Sequence, residues 1–196
     1  MSKFLLDTSF HIVYRAFTII KNIIAIMRLE ETLKEKSSKI IKRWRDKIIE
    51  SYPEDTRRFL KKEKDRFANP VGHTITNEIE SLFYAFVNKD EEQVVNSLNH
   101  IIRIRAIHDF TPSSALYFVL ELKDIIKDET EWDSYSKDEK EELDRRISAL
   151  LLKAFDIYEQ CRYKLYELRV NEVREQVGGL LKMANLVYEI PDMTSK

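Results

Sequence analysis

Glycine, proline and cysteine are scarce in this chain. Three glycines and four prolines in 196 residues are too few turn residues for a β-sandwich or an α/β fold. The single cysteine, Cys161, excludes an intramolecular disulfide, a cysteine-rich zinc site and an iron–sulfur cluster, and it fits a reducing, cytoplasmic compartment. Ile157, Tyr158 and Leu165 surround it at helical spacing, so Cys161 is expected to be a buried, small apolar residue. The net charge of −1 gives no global field toward nucleic acid or membrane. The phosphate loop GxxxxGK, GxGxxG, HExxH and the GxSxG elbow are all missing. So is the pair of ExxH windows that a helical di-iron site needs. The expectation is a protein that is not an enzyme and needs neither cofactor nor metal.

What the chain does have is 43% hydrophobic and 34% charged residues, a mixture suited to a folded domain of long amphipathic helices. The charge is unevenly spread. From Arg28 to Arg66 there are 14 Lys/Arg against 9 Asp/Glu, and from Glu121 to Glu159 there are 7 against 13. Two solvated faces that meet in the fold or in a dimer would produce this pattern. So would a docking surface for a charged partner, or a phosphate-binding region.

Residues 4–27 are apolar but interrupted by Asp7, His11, Arg15 and Lys21. A spanning helix wants ~20 nearly uncharged residues, so no membrane span is expected. No small-residue cleavage site marks a signal peptide. Val13, Phe17, Ile20, Ile24 and Met27 recur at three- and four-residue spacing. That stripe fits a packing helix or a weak membrane-surface anchor. A third reading makes residues 1–26 an extension upstream of a true start at Met27.

From Leu29 onward the helical period is plain. Leu29, Leu33, Ile40, Trp44 and Ile48 form one face of a first helix that Pro53 ends near Tyr52. A short charged helix follows, with Phe59, Leu60, Glu63 and Phe67 expected inward or toward a neighbour. Asn69-Pro70 opens the next helix by cap and proline, with core positions Ile75, Ile79, Leu82, Phe83 and Phe86. Asp90 with Gln93 predicts a capping box for a helix carrying Val94, Leu98, Ile101 and Ile102. Thr111-Pro112 opens another, with Ala115, Phe118, Val119, Leu122 and Ile125. Lys127 to Tyr135 reads as an acidic loop, and Ser136 with Glu139 as a second capping box.

The run that begins there is helical almost to Pro191. Its last part, Tyr163, Tyr166, Val170, Val173, Val177, Leu180, Ala184 and Val187, alternates steps of three and four, which is a heptad seam. Gly178-Gly179 interrupts it at roughly 1 kcal/mol per glycine relative to alanine. The pair marks a helix end, a hinge, or a close helix contact. The fold expected is therefore an all-α helical bundle whose long carboxy-terminal helix continues into a coiled coil. Residues 27–162 would form the domain, 163–190 the extension and 191–196 a tail.

His11, His73, His100 and His108 are the chain's histidines. Arg103 and Arg105 sit among Ile101, Ile102, Ile104 and Ile107, where a guanidinium needs a carboxylate such as Asp109 or Glu63, or a ligand. A haem ligand among the histidines is a further alternative for a helical fold.

Three blocks, Ser51 to Gly72, Ile101 to Leu116 and Lys153 to Val173, resemble the RsbRD amino-terminal domain, the input domain of one class of RsbT co-antagonists. The resemblance covers about Leu29 to Arg174 and starts near Met27. It implies a globin-like helical sensor of the stressosome type, bacterial and dimeric. In that family a long helix leads to a STAS domain carrying phosphorylated threonines. No STAS domain follows within these 196 residues, so the resemblance implies the input role and not the phosphoacceptor or the main RsbT contact. Stand-alone family members imply an accessory role beside a redox membrane complex.

The leading expectation is thus a non-catalytic sensory module, a homodimer that passes ligand or partner binding through helix packing. The alternative is a docking subunit of a signalling or redox complex that senses nothing. Candidate ligand or partner residues are Arg58, Lys61, Lys62, Phe67, Asn69, His73, Arg103, Arg105 and Asp109.

Overall fold

In a computed structural model, the structure describes residues 28–62, 68–108 and 110–183, together with Arg15 and Ile20. Every regular element among these is helical. The chain divides into two units, Met1–Tyr158 and Glu159–Lys196.

In the first unit, a helical stretch at 28–35 (α1) runs into α2, Ser37–Glu50, then α3, Glu54–Lys62. Next come α4, Pro70–Asn88, α5, Glu91–Ile107, and α6, Pro112–Glu129. A single helical turn, Trp132–Ser134, precedes α7, Lys137–Met183. The expected first face is one buried stripe across α1 and α2: Leu29, Leu33, Ile40, Trp44 and Ile48 are all inaccessible to solvent or nearly so. At the join, the Lys36 N–H donates to the Thr32 carbonyl (3.0 Å) and its carbonyl accepts from the Ile40 N–H (3.1 Å). The ladder is therefore hardly interrupted.

The stripes expected for α4, α5 and α6 are buried as well, because each helix turns one apolar face inward at the 3.6-residue period. α2 runs antiparallel to α6. Arg43 reaches Asp128 (2.7 Å) and Glu129 (2.6 Å) at the end of α6, and Ser51, which closes α2, is joined through Arg105 to Ser114 and Ala115 at the start of α6. Trp44 Nε1 donates to the Phe118 carbonyl (2.7 Å) between them. The tight α4–α5 turn places Lys89 at φ 60°, in the left-handed region.

The expected caps are present in most cases. Asn69 Oδ1 accepts from the Gly72 N–H (2.8 Å) and Thr111 Oγ1 from the Ser114 N–H (3.3 Å). Ser136 and Glu139 bond reciprocally, at 2.7 Å and 3.3 Å, as a capping box requires. Asp90 caps α5 through the Gln93 N–H (3.0 Å), but the Gln93 side chain donates to Ser97 Oγ (3.1 Å) instead of reaching back, so the expected box is half made. The acidic stretch expected as a loop stays helical through Glu129, where Arg43 neutralises two of its carboxylates. Of Phe59 and Leu60, expected inward or toward a neighbour, Leu60 is buried and Phe59 is half exposed. Glu63 lies outside the described residues.

Gly72 is required by its own cap. A Cβ there would sit 2.8 Å from Cγ and Oδ1 of Asn69 and closer still to Nδ2. Nδ2 also donates to the Leu60 carbonyl (3.2 Å), tying α3 to α4. Gly72→Ala is therefore expected to cost a cap and that tie, each about 1 kcal/mol. Part of the loss is offset by about 1 kcal/mol of better helix propensity. Asn69→Ala has no offset and should lose about 2 kcal/mol. Urea unfolding of the two variants checks the order, and a Gly72→Ala chain more stable than the parent would refute it.

In the second unit α7 continues as helix through Gly178 and Gly179 to Met183. The helix does not end at the glycine pair, and no heavy atom approaches within 4 Å of a Cβ built at either glycine. Cys161 is half-buried, not buried as expected. No helix among the described residues is long and apolar enough to cross a membrane.

Candidate functional site

The first turn of α6 is where two features of the bundle meet: a buried arginine on its inner side and an open apolar groove on its outer side. Arg105 lies in the last turn of α5 and is 1% exposed. Its Nε donates to the Ala115 carbonyl (2.8 Å), Nη2 to the Ser114 carbonyl (2.8 Å), and Nη1 to Ser51 Oγ (3.0 Å). The guanidinium carbon stands 4.2 Å from the Phe110 ring centre, 5.6 Å from Tyr52 and 5.7 Å from Phe118, within cation–π range of all three. Tyr52 meets Phe110 and His108 edge-on.

Among the described residues, none of the hydrogen bonds of Arg105 goes to a carboxylate. Arg105 closes α5, and Ser51 is the carboxy-terminal cap of α2. A helix carboxy terminus carries roughly half a negative charge; two of them meet here beside the amino terminus of α6, which carries the opposite sign. Burial still pushes the guanidinium below the ordinary arginine range, with Tyr52 and the more distant Glu121 carboxylate pushing back. Burial likewise raises the Glu121 carboxyl, against the opposing pull of Lys47 and Arg105.

On the outer side, Leu116, Tyr117 and Leu120 of α6 and Leu151, Leu152 and Phe155 of α7 line a groove of about 380 Å³, together with Pro112 and Ser113. Tyr117, Leu152 and Phe155 are each at least half exposed. The groove walls are held from behind. Arg105 pins the α6 backbone, and Tyr158 Oη of α7 donates to the Phe110 carbonyl (2.7 Å) just before α6. At the far end Lys123 pairs with Asp144 (2.6 Å). A volume of this size falls in the range of small-ligand pockets, and its lining is almost entirely apolar.

A second hollow of about 200 Å³ lies on the other flank of α7, beside Phe86, Lys89, Glu91, Arg146 and Lys153. Its charges are used internally. Lys89 pairs with Glu30 (2.7 Å), Lys153 with Glu91, and Arg146 donates to the Phe86 carbonyl while lying 4.6 Å from that ring. It is the weaker candidate.

Among the described residues, those singled out from the sequence do not gather into one site. Arg58 is exposed and paired with Glu54 one turn away. Asn69 is a buried cap, and His73 Nδ1 meets Asn77 Nδ2 (3.1 Å) on the same helix. Arg103 is exposed, so of the two arginines only Arg105 is buried. Among the described residues Arg105 is met by carbonyls, a hydroxyl and ring faces; the expected acids Glu63 and Asp109 lie outside them. His100 pairs with Glu78 (2.8 Å). Phe67 and Asp109, and the side chains of Lys61 and Lys62, lie outside the described residues.

The groove residues Tyr117, Leu120, Leu152 and Phe155 were not singled out from the sequence. Their signal was a second apolar stripe beside the core stripe on each of two successive helices.

In the second unit, Tyr163, Tyr166, Val170, Val173, Val177 and Leu180 are all exposed, by 47% to 62%. Ala184 and Val187 lie outside the described residues. Glu167, hydrogen-bonded to Tyr163, pushes its phenol above the ordinary tyrosine range. Among the described residues no three His, Cys, Asp or Glu side chains group as around a metal ion. No protein-family model, curated protein or solved structure matches this chain.

Proposed function

We propose that the chain is a non-catalytic regulatory input module. An apolar ligand or a partner's apolar side chain enters the α6–α7 groove, and α7 carries the resulting change in packing to a homodimeric seam. The observation that carries this reading is the double use of one helix. α7 supplies a wall of the groove through Leu151, Leu152 and Phe155, and the same unbroken helix presents the exposed heptad stripe from Tyr163 to Leu180. Each of those six side chains stabilises by about 1.5–3 kcal/mol when fully buried, so leaving all of them in water is costly. The three sequence blocks that resemble the RsbRD input domain support the same role.

For the groove to signal, its occupant must bind one packing arrangement of α7 more tightly than another. The coupling is then reciprocal between groove and seam. The double variant Val170→Glu/Val173→Glu puts four carboxylates into a dimer seam and is expected to give a monomer at every concentration up to roughly 100 µM. The parent is expected to dimerise in that range, as read by light scattering. A polarity-sensitive dye bound in the groove should shift the dimer dissociation constant severalfold. A parent that stays monomeric, or a dye that binds without any shift, would end this reading.

A second reading has its own observation. α3 carries Arg57 and Arg58 on a short, strongly charged helix, which suits docking to an acidic partner without sensing. Charge reversal there with unchanged partner recovery would set that reading aside.

A further inference from the structure

The seam proposed above leaves its direction open, and the flanking charges decide it. Tyr163, Val170 and Val177 occupy one class of core position, and Tyr166, Val173 and Leu180 the other. Glu167 and Arg174 follow the second class. Arg162, Arg169 and Gln176 precede the first. Glu167, Arg169, Arg174 and Gln176 are all exposed.

In a parallel pair, the residue before one core position meets the residue five further on in the second copy. Arg162 then faces Glu167, but Arg169 faces Arg174 twice over, at the centre of the described seam. In an antiparallel pair, residues on the same kind of flank face each other instead. When the two stripes are centred between residues 171 and 172, Glu167 of each copy meets Arg174 of the other, giving two attractive pairs. Arg169 then meets the neutral Gln176. Sliding that arrangement by one heptad sets Glu167 against Glu167 in one direction and Arg174 against Arg174 in the other. One register therefore removes every like-charge contact. It also matches sizes: Tyr163 packs with Leu180, Tyr166 with Val177 and Val170 with Val173. In the parallel pair, tyrosine must pack on tyrosine at one end.

We propose that the exposed stripe of α7 receives a second copy of this chain in antiparallel orientation, with the Glu167–Arg174 pairs setting its register. This rests on the reading of the stripe as a homodimer seam. Residue 163 of one copy lies opposite 180 of the other, so the described seam pairs entirely within the second unit.

The test uses the full chain in a Cys161→Ser background. Arg174→Glu turns both attractive pairs into repulsive ones and is expected to weaken the dimer roughly tenfold at about 0.1 M salt. The Glu167→Arg/Arg174→Glu double variant should restore it to within about twofold, since the charges are merely exchanged. Chains carrying Tyr163→Cys should cross-link to chains carrying Leu180→Cys and not to themselves, because two Tyr163 positions lie about 25 Å apart along an antiparallel pair. A dimer that tightens or stays unchanged with Arg174→Glu overturns the proposal, as does self-cross-linking of Tyr163→Cys. A parent chain that is monomeric throughout is a different result: it overturns the seam itself.

Discussion

Replacing Trp44 by alanine is expected to remove about 5 kcal/mol of stability, the largest effect of any single change in the bundle. Trp44 is fully buried in α2. Its ring stacks on Phe118 with centres 5.9 Å apart, and its Nε1 donates to the Phe118 carbonyl at 2.7 Å. Truncating a buried tryptophan costs about 3–5 kcal/mol for lost transfer energy and cavity. The lost ring pair adds about 1 kcal/mol. Whole domains of this kind hold about 5–15 kcal/mol in total, so Trp44→Ala is expected to leave a chain that is barely folded. Trp44→Phe supplies the measurable companion. It keeps the ring pair and most of the volume, loses the hydrogen bond, and should cost about 2 kcal/mol. The two midpoints in a urea titration, read at an unchanged slope, check the account. A Trp44→Ala loss below about 2 kcal/mol would mean the site collapses freely around the gap.

Arg105→Ala is expected to cost about 4 kcal/mol, and the reason separates two accounts of a buried charge. The Ser114 and Ala115 carbonyls lie inside α6, so each already accepts an N–H four residues on. Arg105 therefore adds a second bond to groups that are not orphaned without it. Most of the alanine penalty is the cavity left among Tyr52, Phe110 and Phe118. Arg105→Met fills that space without the charge. If the guanidinium serves only as volume, methionine should be nearly silent. If it neutralises the converging carboxy termini of α2 and α5, methionine should still cost about 2 kcal/mol.

The second outcome is expected, because methionine replaces neither the guanidinium charge nor its three hydrogen bonds. Equal stability of parent and Arg105→Met, measured in the same titration, would reduce Arg105 to a filler. The same variants probe the groove. Arg105 holds the backbone on whose opposite side Leu116, Tyr117 and Leu120 stand, so dye binding there should weaken in Arg105→Met even where the chain is fully folded.

How much of this was legible beforehand differs from element to element. The stripe of Leu29, Leu33, Ile40, Trp44 and Ile48 was readable, because burial of a helix face repeats with the helix itself. Asn69, Thr111, Ser136 and Glu139 were readable because a cap involves residues three apart. The length of α7 beyond the bundle and the heptad stripe from Tyr163 to Leu180 were readable for the same reason: both are patterns along one cylinder. Of the readings of Gly178 and Gly179, the structure overturns the helix end. Two propensity penalties did not end a helix with good formers on both sides.

The site was far less legible. Arg103 and Arg105 look alike in sequence, and two residues on a helix point about 200° apart, so which one is buried depends on what packs against α5. The partners of Arg105 are backbone carbonyls of α6 and the Ser51 hydroxyl of α2, atoms that no side-chain motif announces. Asn69, a candidate for a ligand or partner, caps α4 and ties it to α3, and His73 meets Asn77 on its own helix. The groove needed two secondary stripes, Tyr117 with Leu120 and Leu152 with Phe155, to be laid side by side.

Sequence alone therefore determined where helices begin, which face of each is apolar, and that the last part of α7 carries a heptad stripe. These depend on interactions reaching three to seven residues along one chain. Only the tertiary structure decided which arginine is enclosed, what surrounds it, and where an apolar groove opens. Those outcomes depend on which helix ends and flanks, distant along the chain, are brought together.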